Sequence, residues 1–245
     1  MEKEKSKEVI IHDNIFTAIM VDGGFYRKRA YTCFGDVPPK ERADQLESYV
    51  KRHLHEKING VMHEHTLYRI FYYDCPPISK SIYNPVEKKN VEFGKSDTYK
   101  WTSAFFDELR RRRKFALRLG ELSNAEQGYY LPPSKTKDLL SGKIAVQDIK
   151  TSDLRMMIKQ KGVDMKIGVD IASLAYKRQV QQIVLIAGDS DFVPAAKLAR
   201  REGIDFVLDP LGAEVNPNLF ENIDGLNVRD NAFKGNFKNN PKKDS

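Results

Sequence analysis

The stretch that most restricts this chain is residues 181–212, QQIVLIAGDSDFVPAAKLARREGIDFVLDPLG. Ile183 to Ala187 is a nearly uninterrupted apolar run of strand length, broken by Gly188. DFVPAAKLARREG then reads as a short helix closed by Gly203, and IDFVLDPLG supplies the next strand. A strand without polar alternation must be covered on both faces. That condition is met in a parallel sheet wrapped by helices.

The rest of the chain extends this pattern. NIFTAIMVDGG gives a strand from Ile15 to Val21 that ends at Asp22 and a Gly-Gly break. In ERADQLESYVKRHLHEKI, Leu46, Val50, Leu54 and Ile58 draw one helical stripe, so a helix is expected through that segment. TLYRIFYYDC reads as a second strand closed by Pro76-Pro77, TYKWTSAFFDELRRRRK as a helix, and FALRLGEL as a short strand. A further helix is expected to begin near Asp164. Residues 1–13 read as a charged arm, and the stretch from Phe233 onward as a basic, disordered tail. Segments 76–100 and 123–150 look like surface insertions, the second holding Pro132-Pro133 and Gly142. No linker separates two complete cores, so a single domain over 14–232 is expected.

Two carboxylates one residue apart, Asp189 and Asp191, directly follow the most apolar strand. In an open parallel sheet, ligands bind beyond the carboxyl ends of the strands where the strand order reverses. If the strand ending at Asp22 neighbours the strand before Asp189, three carboxylates meet in one crevice, and Asp164 at a helix start can join them. Pooled acids of this kind call for a hard cation, and oxygen-only ligands favour Mg²⁺ or Mn²⁺. Each acid also has a plain structural reading: Asp191 and Asp164 as helix caps, Asp22 as a turn residue. Asp170 lies about 120° around the helix from Asp164 and, with Ser190, stands in a second tier that orients a ligand or faces solvent.

The segments IMVDGG, KGVDMKIGVDIASLA and VLIAGDSDFVPAAKLARREG resemble the NYN domain, a branch of the PIN-like nuclease superfamily. The likeness is strongest over residues 160–212, fair over 15–25 and weak between them. It implies an α/β fold, a three-layer Rossmann-like (PIN-like) sandwich with a mainly parallel central sheet and, here, two surface insertions. It also implies an acidic site that binds divalent metal and cleaves RNA. On this chain the matching acids are Asp22, Asp164, Asp189 and Asp191, as catalytic groups and metal ligands. Members of the family often carry Asn or another polar residue two or three positions after the first Asp; here Gly24 and Phe25 stand there.

An acidic site repels a polyanion, so an RNA partner needs a basic surface elsewhere. The formal net charge is +7. Arg110, Arg111, Arg112, Arg113 and Lys114 form the densest run, and Arg27 and Arg29 follow Asp22 closely enough to line the crevice. A solvated helix end complementing its dipole explains Arg110–Lys114 equally well. His53, His55, His63 and His65 crowd one span but lack metal-site spacing, and the first two fall on the expected helix with side chains pointing apart.

Cys33 and Cys75 are the only cysteines and form no CxxC pair. The first ten residues lack the apolar core of a secretory signal, and no apolar run is of membrane-spanning length. A cytoplasmic protein is therefore expected, with single-stranded or structured RNA as partner and no membrane partner; homo-oligomers stay open. Three functions compete: a metal-dependent ribonuclease, a non-catalytic RNA-binding or scaffold module with a vestigial acidic site, and a phosphohydrolase of small nucleotides.

Overall fold

The computed structural model describes residues 10–234. β1 (Ile10–Asp22) runs into α1 (Gly23–Phe34) and α2 (Pro39–Lys51), then into an antiparallel pair, β2 (His55–Ile58) and the long β3 (Val61–Asp74). β4 (Ser81–Asn84) and β5 (Lys89–Glu92) make a separate hairpin before α3 (Asp97–Arg110) and β6 (Phe115–Leu119). β7 (Glu121–Tyr130) pairs antiparallel with β8 (Arg155–Lys161), and α4 (Pro133–Leu140) lies in the connection between them. The chain ends through α5 (Val163–Tyr176), β9 (Gln182–Ile186), α6 (Val193–Arg201), β10 (Asp205–Asp209), α7 (Pro217–Phe220), β11 (Gly225–Leu226) and α8 (Asn231–Lys234).

The protein is α/β with a mostly parallel main sheet, as the alternating apolar strands predict. The strand order is β11-β10-β9-β1-β3-β2, and β6 also pairs with β3. From β1 the chain steps outward to β3 and β6, then returns to β9 on the other flank of β1 and continues to β10 and β11. The order therefore reverses between β1 and β9, whose pairing is parallel from Thr17–Gln182 to Val21–Ile186.

Both faces of the sheet are buried. Ala18, Met20, Ile183, Leu185, Phe206 and Leu208 face a core completed by Ile167 and Ile171 of α5 and Ala196 and Ala199 of α6. Their chain neighbours Ile19, Val21, Val184, Ile186 and Val207 face a second core with Tyr26 of α1, Leu46 and Val50 of α2, and Phe105 and Leu109 of α3. Period-two alternation into two apolar cores is why these strands read as continuous hydrophobic runs. Among the described residues, no helix is long and apolar enough to cross a membrane.

Several expectations are corrected. The helix expected to run to Ile58 stops at Lys51: Arg52–Leu54 tighten into a 3₁₀ turn and His55–Ile58 form β2. The deciding signal lies just beyond, where Asn59 (φ 49°) and Gly60 (φ 85°) make the two-residue hairpin that sends β3 back along β2. His53 and His55 are accordingly not on one helix. Ile10 to Asp13, expected in the charged arm, already belong to β1, and Ile10 to His12 pair with β3, while residues 1–9 lie outside the described residues. Phe233, expected in a disordered tail, is 1% exposed on α8 and packs its ring edgewise on Phe34 and Tyr49. Residues 235–245 of that tail lie outside the described residues.

Candidate functional site

Asp22 is the last residue of β1 and the N-cap of α1, where its Oδ1 accepts the Phe25 N–H at 3.0 Å. The Gly-Gly break after it is a packing requirement. A Cβ on Gly23 would stand 2.4 Å from the Tyr72 ring, so no larger residue fits there. One strand over, Gly188 carries the same constraint: its Cβ would lie 2.5 Å from the Phe25 ring. Phe25 thus packs across from the turn after Asp22 to the turn before Asp189 and ties the two acid-bearing turns together.

Asp189 is exposed just past β9, and its Oδ1 accepts the Asp191 N–H at 3.1 Å, starting the 3₁₀ turn Ser190–Phe192. Ser190 lies half-buried between the two acids. Asp191 is exposed and does not cap α6, whose N-cap is Phe192 with no side-chain hydrogen bond. Nor does Asp164 cap α5. Gly162 occupies the N-cap with φ 80°, and Asp164 stands exposed in the first turn. The structural readings therefore account for Asp22 and leave Asp164 and Asp191 without a capping role.

The electrostatics link these groups. Burial pushes the Asp22 carboxyl up from 3.8 to about 6; the charges of Asp164 and Asp74 push the same way, while the Phe25 and Gly24 N–H groups oppose. Asp164 is raised too, by partial burial and then by the charges of Asp189 and Asp191. Among the described residues, no ion pair reaches Asp22, Asp164, Asp189 or Asp191. The four acids thus form a string of like charges across the β1–β9 switch point.

Oxygen-only donors under mutual repulsion fit a hard divalent cation in their chemistry. Their spacing is looser: among the described residues, no group of three His, Cys, Asp or Glu side chains is close enough to hold an ion. Any ion held here would rest on fewer than three of these side chains as they stand.

The other sequence candidates fall elsewhere. Asp170 accepts from Tyr73 Oη at 2.8 Å and from Arg118 Nε at 3.1 Å, a tie between α5 and the sheet. Arg27 turns inward, its Nη2 donating to Asp74 Oδ1 at 3.0 Å and lying 2.9 Å from Oδ2, and Arg29 donates twice to the Leu211 carbonyl. Arg110, Arg111, Arg112, Arg113 and Lys114 sit at the amino end of β6, the opposite end of the sheet from the acids. Arg110 pairs with Asp107 at 2.6 Å, Arg111 with Glu108 at 3.4 Å, and Arg112 with Asp44 and Glu47. Lys114 donates to the carbonyls of Leu67 and Tyr68. The histidines disperse into structural contacts: His53 on Asp209, His63 on Asp13, and His65 against Thr17 and Gln182.

Sequence reasoning missed two acids, Asp74 and Asp209. They close β3 and β10 as Asp22 closes β1, so the signal was present in FYYD and FVLD as much as in IMVD. Asp74 is held by Arg27, Tyr72 Oη and the Cys75 N–H. Asp209, fully buried, accepts from Tyr49 Oη, from His53 Nε2 at 2.9 Å and from the Leu211 N–H at 2.8 Å.

Comparison with known proteins gives a family match to the NYN domain over residues 102–215, from within α3 past β10. The matched span contains Asp164, Asp189 and Asp191; Asp22 lies before it. Among solved structures, a protein of unknown function from Vibrio parahaemolyticus is similar at 13% identity, covering 94% of this chain and 98% of that one with a TM-score of 0.45. No curated protein matches.

Proposed function

We propose that this chain, which carries the NYN domain over residues 102–215, is a divalent-metal-dependent ribonuclease that hydrolyses RNA phosphodiester bonds at Asp22, Asp164, Asp189 and Asp191. One observation carries the reading: among the described residues, four carboxylates without ion-pair partners follow one another across the switch point between β1 and β9, and the charges of Asp189 and Asp191 raise the proton affinity of Asp164 as that of Asp164 raises Asp22. Helices on both faces of the sheet support a three-layer, Rossmann-like (PIN-like) arrangement. On this reading the chain from β1 to α8 is one domain, with insertions near 76–100 and 123–150.

Asp22 and Asp189 would hold Mg²⁺ or Mn²⁺, with Asp164 and Asp191 as further ligands or as acceptors that orient a water. A cation so held supplies an acidified water and screens the leaving oxygen. The chain's own contribution is the placing of charge. Asp22 is fixed by the Phe25 N–H and, with its carboxyl near 6, gives up its proton above that pH. Asp189 is held through the Asp191 N–H, which keeps both carboxylates on the solvent side of one turn. Phe25 against Gly188 keeps the two turns in register. Activity should therefore decline as pH falls below about 6.

The test is cleavage of single-stranded and structured RNA with Mg²⁺ or Mn²⁺ against chelator, for the intact protein and for Asp189→Asn. A loss on the order of 100-fold in the variant is expected. Equal cleavage by both rules the centre out.

The looseness of the acid group favours a second reading, an RNA-binding scaffold whose acidic site no longer works. It predicts RNA affinity that survives chelation and no turnover.

A further inference from the structure

A cavity of about 330 Å³ opens near the acid cluster, walled by the 76–100 insertion, the start of α3 and β8. Pro76 and Pro77 form one side. Ser96, Thr98 and Tyr99, at and just inside the start of α3, form another. Met156, Ile158 and Gln160, alternate residues of β8 and so on one face of that strand, close it. Arg27 stands at its inner end beside Thr102, and no carboxylate lines it. The Arg27 Nε is buried and finds no acceptor among the described residues.

Three features tie this cavity to Asp74 and, through Val163, to the start of α5 beside Asp164. Cys75, in its wall, directly follows Asp74, and Arg27 bridges from the cavity to the Asp74 carboxylate. A Cβ on Gly120 would lie 3.0 Å from Cys75 Sγ and 2.9 Å from Val163, the neighbour of Asp164. Burial pushes the Cys75 thiol up, and the charges of Asp74 and Asp164 push the same way.

We propose that this cavity is a nucleobase subsite, taking one unpaired base of a single-stranded RNA whose backbone passes the Asp22–Asp164–Asp189–Asp191 cluster. The proposal rests on the nuclease reading above and narrows its substrate to an unpaired strand. Ligand cavities span about 300–1,000 Å³, so this one is of a size for a single base with its sugar. Its walls match a base in kind: the Pro76, Pro77 and Ile158 side chains and the Tyr99 ring for apolar and stacking contact, and the Gln160 amide, the Thr98 hydroxyl and the unpaired Arg27 Nε for edge hydrogen bonds. Paired bases keep their edges and faces inside the duplex and cannot enter.

The experiment measures cleavage of homopolymeric oligoribonucleotides of each base, and their binding in chelator by fluorescence anisotropy. It compares intact protein with Ile158→Trp, which fills the cavity from the exposed face of β8, and with Gln160→Leu, which keeps its shape. Circular dichroism checks that each variant folds. The intact protein should rank the homopolymers over about tenfold in rate and affinity. Ile158→Trp should bind and cut all of them weakly and without ranking, and Gln160→Leu should compress the ranking. If Ile158→Trp keeps the ranking of the intact protein, the subsite is overturned while the nuclease reading stands. If the intact protein cuts nothing yet ranks the oligomers in binding, and Ile158→Trp abolishes that ranking, the nuclease reading fails and the subsite survives. Binding without ranking in the intact protein overturns the subsite whether or not cleavage occurs.

Discussion

Asp22 and Asp209 close strands of the same sheet two positions apart, yet their carboxylates have opposite surroundings. Asp209 is fully buried and takes three donors, Tyr49 Oη, His53 Nε2 and the Leu211 N–H. Asp74, 2% exposed, is likewise matched by Arg27, Tyr72 and the Cys75 N–H. Asp22 has the Phe25 and Gly24 N–H groups and, among the described residues, no cation, and burial, then the charges of Asp164 and Asp74, push its carboxyl up to about 6. A buried carboxylate with its own donors holds the fold together. One buried among like charges without a cation stores a desolvation and repulsion cost that a proton or a cation relieves. The difference separates structural acids from candidate site acids where their position in the strand does not.

The strongest way to break this contrast is to remove a partner from the matched class. Arg27→Ala leaves the Asp74 carboxylate buried beside only neutral donors, and uncompensated buried charges of this kind cost about 3–5 kcal/mol. Asp209→Ala, which orphans Tyr49 and His53, should fall in the same range. Asp189→Asn and Asp191→Asn should leave the urea midpoint within about 0.5 kcal/mol of the intact protein, because among the described residues no ion pair reaches either side chain and Asn keeps an oxygen for the Asp191 N–H. If Arg27→Ala unfolds no more readily than Asp189→Asn, the division between matched and unmatched acids is wrong.

Asp22→Asn sharpens it from the other side. Asn keeps a capping oxygen for the Phe25 N–H and removes the charge. The folded carboxyl titrates near 6 and the unfolded one near 3.8, so between these values the folded state holds more proton and stability falls as pH rises. The penalty is complete above about 6 and amounts to roughly 2–3 kcal/mol. The variant should therefore be more stable than the intact protein at pH 8, and the gap should close by pH 4. A gap independent of pH would show that burial and neighbouring charges do not penalise the Asp22 carboxylate.

Divalent metal should act on the same repulsion. At a hundredfold excess over its Kd, Mn²⁺ should stabilise the intact protein by about 2.7 kcal/mol at pH 8, read as a rise in melting temperature. Asp22→Asn should lose most of that rise, and Asp209→Asn should keep it. An equal rise in all three would place the cation elsewhere.

Much of this contrast was hidden in the sequence for a physical reason. β1, β9 and β10 were readable because burial on both faces erases polar alternation and leaves IMV, IVLI and FVL as runs. The adjacency of β1 and β9 stood in the sequence only as a condition, and their parallel pairing supplies it. β2 was lost because Ile58 happens to extend the stripe of Leu46, Val50 and Leu54, while the Asn59-Gly60 turn that decides the matter lies outside it. Asp74 and Asp209 look like Asp22 in sequence. What sets them apart is Arg27, 47 residues from Asp74, and Tyr49, 160 residues from Asp209. Partners so distant leave no local mark.

The smallest expected effect tests the two ends of the sheet. Arg110 and Arg111 bond to Asp107 and Glu108 one helical turn back, exposed pairs worth about 0–0.5 kcal/mol each, so their joint replacement by alanine should barely move stability. They also lie at the amino end of β6, a strand of five residues, or roughly 16 Å, from the end where the acids gather. Lys161 and Lys166, exposed beside Gly162 at the start of α5, lie at the acid end. For single-stranded RNA each phosphate contact adds about 0.7 to the slope of log affinity against log salt. Lys161→Ala with Lys166→Ala should reduce that slope by about 1.4, and the arginine pair should leave it unchanged. A fall of the same size in the arginine variant would mean that RNA wraps the edge of the sheet from one end to the other. In that case the Arg110–Lys114 run would belong to the binding surface despite its carboxylate partners.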